Sequence, residues 1–184
     1  PPLWSRSHGY TPSLSGMVSA RGRIFYIIDE GLSGVADARF DRWRLCARDA
    51  FSGVLLWKRR LPEWGTRVWK GKAEGPRSGN WSSPTTLPRR LVAVEDRLYV
   101  TLGYREPVSM LDAATGKVLR SFQQTKFAEE MVWRDGLLIV RQREKIPDSS
   151  GHHAWSAEAR RTSDGGPRVQ IGRASCRERV YCEV

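Results

Sequence analysis

Two stretches of this chain repeat one pattern, and the repetition constrains the fold more than any other feature of the sequence. The first reads ARDAFSGVLLWK over residues 47–58, and the second reads MLDAATGKVLRSF over residues 110–122. In each, an Asp is followed by a Ser-Gly or Thr-Gly pair and then by an apolar run. Such an Asp can accept hydrogen bonds from turn amides, and Gly permits the positive φ that closes the turn. Each stretch is therefore predicted to form a strand, a tight turn and a second strand.

Hairpin patterns precede both of these turns, and a third copy follows them. The copies read MVSARGRIFYII at residues 17–28, LVAVEDRLYVTL at residues 91–102 and EEMVWRDGLLIV at residues 129–140. In register, Gly22, Asp96 and Gly136 take the same position in the hairpin turn,. A hairpin followed by the repeated turn gives a four-stranded antiparallel meander, so the chain is predicted to be all-β.

The spacing of the hairpins is that of a repeat protein. Asp96 and Gly136 lie 40 residues apart, within the period of about 40 to 50 residues of propeller blades. The interval from Gly22 to Asp96 is 74 residues, which we attribute to insertions at 31–44 and 64–88. Insertions in repeat proteins form loops on one face, so the 64–88 loop is the expected contact surface.

The first repeated turn resembles the docking motif of pyrroloquinoline-quinone-like (PQQ-like) β-propeller repeats, A-x-D-x-x-[S/T]-G-x-x-x-W. The full motif occupies Ala47, Asp49, Ser52, Gly53 and Trp57. The second copy keeps Asp112, Thr115 and Gly116, but has Met110 in place of Ala and Arg120 in place of Trp. In that family, which includes quinoprotein alcohol dehydrogenases and outer-membrane assembly lipoproteins, the Trp packs on a turn of a neighbouring blade. The resemblance therefore implies that these residues join blades.

The resemblance covers residues 16–143 and implies a partial β-propeller of about two to three four-stranded blades. Because rings of the family have about eight blades, we expect a fragment of a longer bacterial chain whose other blades are its partners. The predicted divisions are an irregular leading segment (1–16), a first blade (17–63), an inserted loop (64–90), a second blade (91–127), the start of a third (128–143) and an irregular tail (144–184). The final stretch, IGRASCRERVYCEV, resembles a translated sequencing-adaptor tail. Residues from 171 onward are therefore expected to be non-native, and the expectation extends to those after about 145; a genuine basic tail is the alternative.

Catalytic chemistry has no support in the sequence. A quinoprotein dehydrogenase needs a catalytic Asp, calcium ligands and groups that flank the quinone, and none can be placed here, so no catalytic, cofactor-binding or metal residue is assigned. Calcium takes about six to eight oxygen ligands, and each repeated turn offers one acidic side chain. His152 and His153 are adjacent, which is a poor geometry for a metal. Cys46, Cys176 and Cys182 form no metal or redox motif,. PQQ and calcium are expected only for a complete ring.

The predicted function is therefore a non-catalytic scaffold or binding module, and two alternatives stay open. One is part of a PQQ- and calcium-dependent alcohol or sugar dehydrogenase. The other is a basic surface that binds nucleic acid or another polyanion, because the net charge is +11 and basic residues flank Trp43 and Trp57,. The expected partners are thus a protein or a polyanion. No apolar run is long enough to span a membrane, and the resemblance favours the periplasm or cell envelope.

Overall fold

Antiparallel sheets form the body of the chain in the computed structural model. The structure describes residues 7–8, 11–12, 14–31, 41–69, 86–142 and 168–172. A two-stranded ladder of Ser7–His8 (β1) and Thr11–Pro12 (β2) comes first. Three larger sheets follow, and in each of them every strand pairs with the strand before it in the chain. All of these pairs are antiparallel except the last, which is parallel. The prediction of an all-β fold is confirmed.

Sheet 1 is a four-stranded antiparallel meander. Its strands are Leu14–Ala20 (β3), Arg23–Asp29 (β4), Trp43–Asp49 (β5) and Leu55–Arg60 (β6). The β3–β4 hairpin closes in two residues, Arg21 and Gly22, because Ala20 pairs with Arg23. Both turn residues have positive φ, 48° and 70°. This conformation matches the twist of the strands, and Gly adopts it without strain.

Sheet 2 repeats the same order of strands. A short helix, Thr66–Trp69 (α1), and a 3-10 turn, Leu87–Arg90, precede it. Its strands are Leu91–Val94 (β7), Arg97–Thr101 (β8), Val108–Asp112 (β9) and Val118–Phe122 (β10). The hairpin turn is again two residues long, since Val94 pairs with Arg97. Sheets 1 and 2 are the two complete meanders that the repeats predict.

Sheet 3 contains the third predicted hairpin and one strand that the sequence did not indicate. Ala128–Arg134 (β11) and Leu137–Gln142 (β12) pair antiparallel, and Arg168–Gly172 (β13) pairs with β12 in parallel. The prediction of an irregular tail is therefore wrong at these five residues. The physical reason is that the hairpin leaves one edge of β12 with unpaired backbone groups, and an extended segment with alternating Val and Ile satisfies them.

The leading segment and the inserted loop also differ from their predicted form where the structure describes them. Strand β3 begins at Leu14, and β1 and β2 lie before it, so the segment 1–16 is not wholly irregular. The loop at 64–90 contains α1 and the 3-10 turn. Residues 70–85 of that loop lie outside the described residues.

The sheets stack face to face, with an apolar core in each gap. Between sheets 1 and 2, the largest fully buried side chains include Trp43, Phe25, Ile27, Leu45, Leu98 and Leu111. Between sheets 2 and 3, the buried side chains are Tyr99, Val108, Phe122, Ala128, Met131, Leu138 and Val140. Because alternate residues of a strand point to opposite faces, sheet 2 contributes to both cores. Within the described residues, no helix has the length and apolar character needed to cross a membrane.

Candidate docking site between sheets

The turn between β5 and β6 is held together by the carboxylate of Asp49. Its Oδ1 accepts hydrogen bonds from the Phe51 amide (3.1 Å), the Ser52 amide (2.7 Å) and the Ser52 hydroxyl (2.8 Å). The Gly53 amide donates to the Asp49 carbonyl at 3.0 Å, and Gly53 has a φ of +71°. The carboxylate therefore satisfies amides that the tight turn leaves without ladder partners.

The turn between β9 and β10 has the same geometry. Asp112 Oδ1 accepts from the Thr115 amide at 2.8 Å and from the Thr115 hydroxyl at 2.7 Å. The Gly116 amide donates to the Asp112 carbonyl at 2.9 Å, and Gly116 has a φ of +69°. Two segments that differ at many positions but keep the Asp, the hydroxyl residue and the Gly thus form one local structure.

These hydrogen bonds hold both carboxylates in their charged form. Donation from the Ser52 backbone and then from its hydroxyl lowers the pKa of Asp49. Donation from the Thr115 hydroxyl and then from its backbone lowers the pKa of Asp112. A carboxylate with a lowered pKa is a good acceptor and a poor proton donor at neutral pH. Both carboxylates therefore act here as hydrogen-bond acceptors that hold their turns.

Each repeated turn is also bonded to the hairpin turn of its own sheet. The Ala50 amide donates to the Gly22 carbonyl at 2.8 Å, and the Ala113 amide donates to the Asp96 carbonyl at 3.1 Å. Gly22 and Asp96 are the equivalent positions identified from the hairpin pattern. The hairpin turn and the repeated turn at one end of each sheet are therefore hydrogen-bonded to each other.

Trp57 links sheet 1 to the repeated turn of sheet 2. Its indole Nε1 donates a hydrogen bond to the Ala113 carbonyl at 3.0 Å. Its ring also covers Gly116, since a Cβ built on that glycine would lie 2.8 Å from two ring carbons of Trp57. Within sheet 1, the small Ala47 is the ladder partner of Trp57, and the Phe25 ring lies 6.1 Å from the indole. The ring therefore lies in a packed position between the two sheets.

Charged residues join the same ends of sheets 1 and 2. Arg59 Nη1 donates to the Gly116 carbonyl at 3.0 Å. At the hairpin turns, Arg21 pairs with Glu95, and Arg23 Nη1 lies 3.0 Å from Asp96 Oδ1. The first ion pair is largely exposed, and the second has an exposed Asp96 and a half-buried Arg23. Exposed pairs of this kind contribute little to stability. No sequence pattern indicated these pairs, because nothing local relates residues more than 70 positions apart.

Two residues of the second motif depart from the pattern, and their surroundings differ from those of Ala47 and Trp57. Met110 packs against the core between sheets 2 and 3. The Arg120 guanidinium lies 5.2 Å from the centre of the Phe122 ring. The two residues are ladder partners, as Ala47 and Trp57 are in sheet 1, but a flexible cation stands where sheet 1 has an indole.

Arg90 is a buried charged residue that the sequence reasoning missed. It is 2% exposed, donates from Nη1 to the Tyr104 carbonyl at 2.6 Å, and lies 4.3 Å from the centre of the Tyr104 ring. Its sequence context, Pro-Arg-Arg, is typical of an exposed loop. The only feature of the sequence that could have indicated the burial of Arg90 is its place directly before the apolar strand β7.

The two aromatic rings that basic residues flank in the sequence pack within the fold. Trp43 is buried and lies 5.3 Å from Trp69, and Trp57 packs on the second turn. Cys46 is buried, and this burial raises the pKa of its thiol. The other residues considered for chemistry, His152, His153, Cys176 and Cys182, lie outside the described residues. In the part of the chain that the structure describes, no three His, Cys, Asp or Glu side chains group as metal ligands.

These features define the class of the protein: it is an all-β chain of stacked antiparallel sheets, two of which are joined by an indole that packs on a turn. No family model matches the chain, and no curated protein matches it. The solved structures similar to it include the crystal structure of a computationally designed protein, Ika4. That match has 12% identity and a TM-score of 0.31, and it covers 77% of this chain and 92% of the designed one. A likeness at this level carries no argument about fold or function.

Proposed function

We propose that the chain is a segment of a PQQ-like β-propeller repeat protein that acts as a non-catalytic scaffold and binding module. One observation carries the proposal. Trp57 of the first motif copy packs on the turn of the second copy, with its Nε1 3.0 Å from the Ala113 carbonyl. The contact supports the proposal because the resemblance implies one of this kind between neighbouring blades. The stacking of sheet 2 between two apolar cores supports the same architecture.

The role of scaffold is supported by what the motif side chains do. Asp49, Ser52, Asp112 and Thr115 bond within their own turns, and Trp57 bonds across to the next sheet. Catalytic groups need a pKa matched to proton transfer or a nucleophile beside a base. The two motif carboxylates instead have lowered pKa values because they accept turn hydrogen bonds.

A titration with PQQ and calcium tests the scaffold against the dehydrogenase alternative. Because PQQ and calcium are expected only for a complete ring, the full-length parent protein is titrated with PQQ in the presence and absence of Ca²⁺, and the quinone absorption spectrum is followed. The scaffold function predicts an unchanged spectrum under both conditions. A tight complex that requires calcium would overturn the proposal and replace it with the dehydrogenase.

Binding of a polyanion is a second candidate, and the net charge of +11 favours it,. With Trp43 and Trp57 inside the fold, binding would rely on phosphate contacts, and its affinity would fall steeply with salt. Fluorescence anisotropy of a labelled oligonucleotide at low salt tests it. An absence of binding there would exclude this candidate.

A further inference from the structure

The last strands of sheets 1 and 2 share a β-bulge at one equivalent position. Strand β6 forms one edge of sheet 1, and β10 forms the corresponding edge of sheet 2. The register of β6 with β5 skips Leu56, and the register of β10 with β9 skips Leu119. Leu56 follows Asp49, and Leu119 follows Asp112, by seven residues. Both copies of the repeat therefore place a bulged leucine at the same point of an edge strand.

The bulged leucines are exposed, and so are the apolar residues directly before them. Leu56 is 43% exposed and Leu119 is 48% exposed. Leu55 is 40% exposed and Val118 is 39% exposed. A bulge bends its strand and redirects the side chain of the extra residue. A single exposed leucine is ordinary, but the same exposed apolar pair at the same bulge of two sheets indicates a surface with a partner.

The exposed charges on these two strands are all positive. Their sequences, LLWKRR and VLRSF, contain no Asp or Glu. Arg60, Lys117 and Arg120 are exposed, and within the described part of the chain Arg60 and Lys117 form no ion pair. Lys58 differs, because its Nζ lies 2.5 Å from Glu30 Oε1. A surface that covers these strands must therefore supply negative charge, since a buried cation without a partner is costly.

The two edge strands lie on the same side of the stacked sheets. Strand β6 reaches the turn that precedes β10, because Arg59 Nη1 donates to the Gly116 carbonyl at 3.0 Å and the indole of Trp57 covers Gly116. Lys117 and Val118 follow Gly116 directly. The exposed residues of the two edges are called here the rim, and they are Leu55, Leu56, Arg60, Lys117, Val118, Leu119 and Arg120.

We propose that the rim binds the surface of a lipid bilayer that contains anionic lipids. The leucines enter the boundary between headgroups and acyl chains, and the cations lie among the anionic headgroups. A fluid surface accepts protruding side chains, whereas a folded partner would need a recess for each leucine. Bulges and cations at an edge also hinder the addition of further strands, but that role requires no apolar residue at the bulge. The inference goes beyond the proposed scaffold function and does not depend on it.

Co-sedimentation of the full chain with lipid vesicles tests the proposal. One set of vesicles contains phosphatidylcholine alone, and the other contains phosphatidylglycerol and phosphatidylcholine in equal parts. At low salt the chain is expected to bind the mixed vesicles at least about tenfold more tightly than the neutral ones. Equal affinity for both, or no binding to the mixed vesicles, would overturn the proposal. A thymidylate dodecamer that binds more tightly and displaces the chain from the mixed vesicles would overturn the assignment to a membrane.

A pair of double variants tests the apolar part of the rim. Leu56→Ser with Leu119→Ser should weaken binding to the mixed vesicles about tenfold. Met17→Ser with Val132→Ser is the control, because both residues are exposed and apolar but lie outside the rim. An unchanged affinity of the leucine variant would reduce the binding to charge alone and would contradict the proposal.

A second pair tests the cations at a constant change in net charge. Arg60→Glu with Lys117→Glu should weaken binding about tenfold or more. Lys126→Glu with Arg134→Glu changes the net charge equally at exposed positions outside the rim, and it should have a much smaller effect. Equal losses in the two variants would show that the total charge, and not the rim, controls binding.

A fluorescent label tests directly whether the bulged leucine enters the bilayer. Leu119→Cys is labelled with a fluorophore sensitive to polarity, in a chain with Cys176 and Cys182 replaced by Ser and with Cys46 protected by its burial. Mixed vesicles should shift the emission of this label to shorter wavelength, and they should leave a label at Val132→Cys unchanged. A shift at Val132→Cys alone, or at neither position, would refute insertion of the rim.

Discussion

Substitution of Gly116 by Ala tests whether the indole of Trp57 joins the two sheets. The new Cβ would lie 2.8 Å from the Trp57 ring, closer than carbon atoms pack. Overpacking of this kind costs about 1–3 kcal/mol. The positive φ of +69° adds a second cost, because an L-residue in the left-handed region loses about 1–2 kcal/mol. We therefore expect Gly116→Ala to lower the free energy of unfolding by about 2–5 kcal/mol.

Gly53→Ala provides a matched control within the same chain. Gly53 has the equivalent place in its turn and a φ of +71°, but nothing lies within 4 Å of its built Cβ. The control should therefore lose only the backbone contribution, about 1–2 kcal/mol. The difference between the two variants isolates the contact with the indole.

Urea unfolding is monitored by far-ultraviolet circular dichroism, because substitutions at or beside Trp57 would themselves change the Trp fluorescence. A double-mutant cycle with Trp57→Ala completes the experiment. Without the ring, Gly116→Ala should destabilise the chain no more than Gly53→Ala does, which gives a coupling energy of about 1–3 kcal/mol. Equal destabilisation by the two Gly→Ala variants in the chain with Trp57 would refute the proposed contact.

Further predictions concern the turn carboxylates, the buried arginine and the buried thiol. The pKa values of Asp49 and Asp112 are lowered by turn hydrogen bonds. Their contribution to the free energy of unfolding is therefore present above the unfolded pKa of about 3.9 and is lost as the pH falls through the folded pKa. The urea midpoint should therefore fall in acid, less so in the double Asp→Asn variant, and equal pH profiles would contradict this. Arg90→Met removes the hydrogen bond to the Tyr104 carbonyl and should cost about 1.5–3 kcal/mol, whereas an unchanged urea midpoint would show that the bond is dispensable. Cys46 is buried and has a raised pKa, so it should react with a thiol reagent only after unfolding. The reaction is measured in a chain with Cys176 and Cys182 replaced by Ser, and rapid labelling of the folded chain would contradict the burial of Cys46.

The sequence predicts local structure well because the signals for it are local. Asp49 and Gly53 define their turn within five residues, and the hairpin at Arg21 and Gly22 depends on two. The contact between Trp57 and Ala113 spans 56 positions. It could be expected only through the resemblance to a family, and no pattern of spacing indicated it.

Contacts between distant residues were not predictable, since they depend on how the sheets stack. The pairs of Arg21 with Glu95 and of Arg23 with Asp96 involve residues that look like ordinary exposed turn residues in sequence. Arg90 also reads as a surface residue, yet the stacking buries it. Strand β13 was missed for the same reason: its pairing depends on the free edge of β12 and not on its own short pattern.

The surface that receives Trp57 is made of main-chain atoms, and this has a consequence for how such repeats diversify. The indole bonds a carbonyl oxygen and lies over a Cα that has no side chain. The contact itself requires only that Gly116 has no side chain, and the turn requires Asp112 and Thr115, whose hydrogen bonds hold its backbone. Copies of the unit can therefore drift far apart in sequence and still be exchanged, duplicated or recombined, provided that a copy whose neighbour carries the indole keeps its glycine.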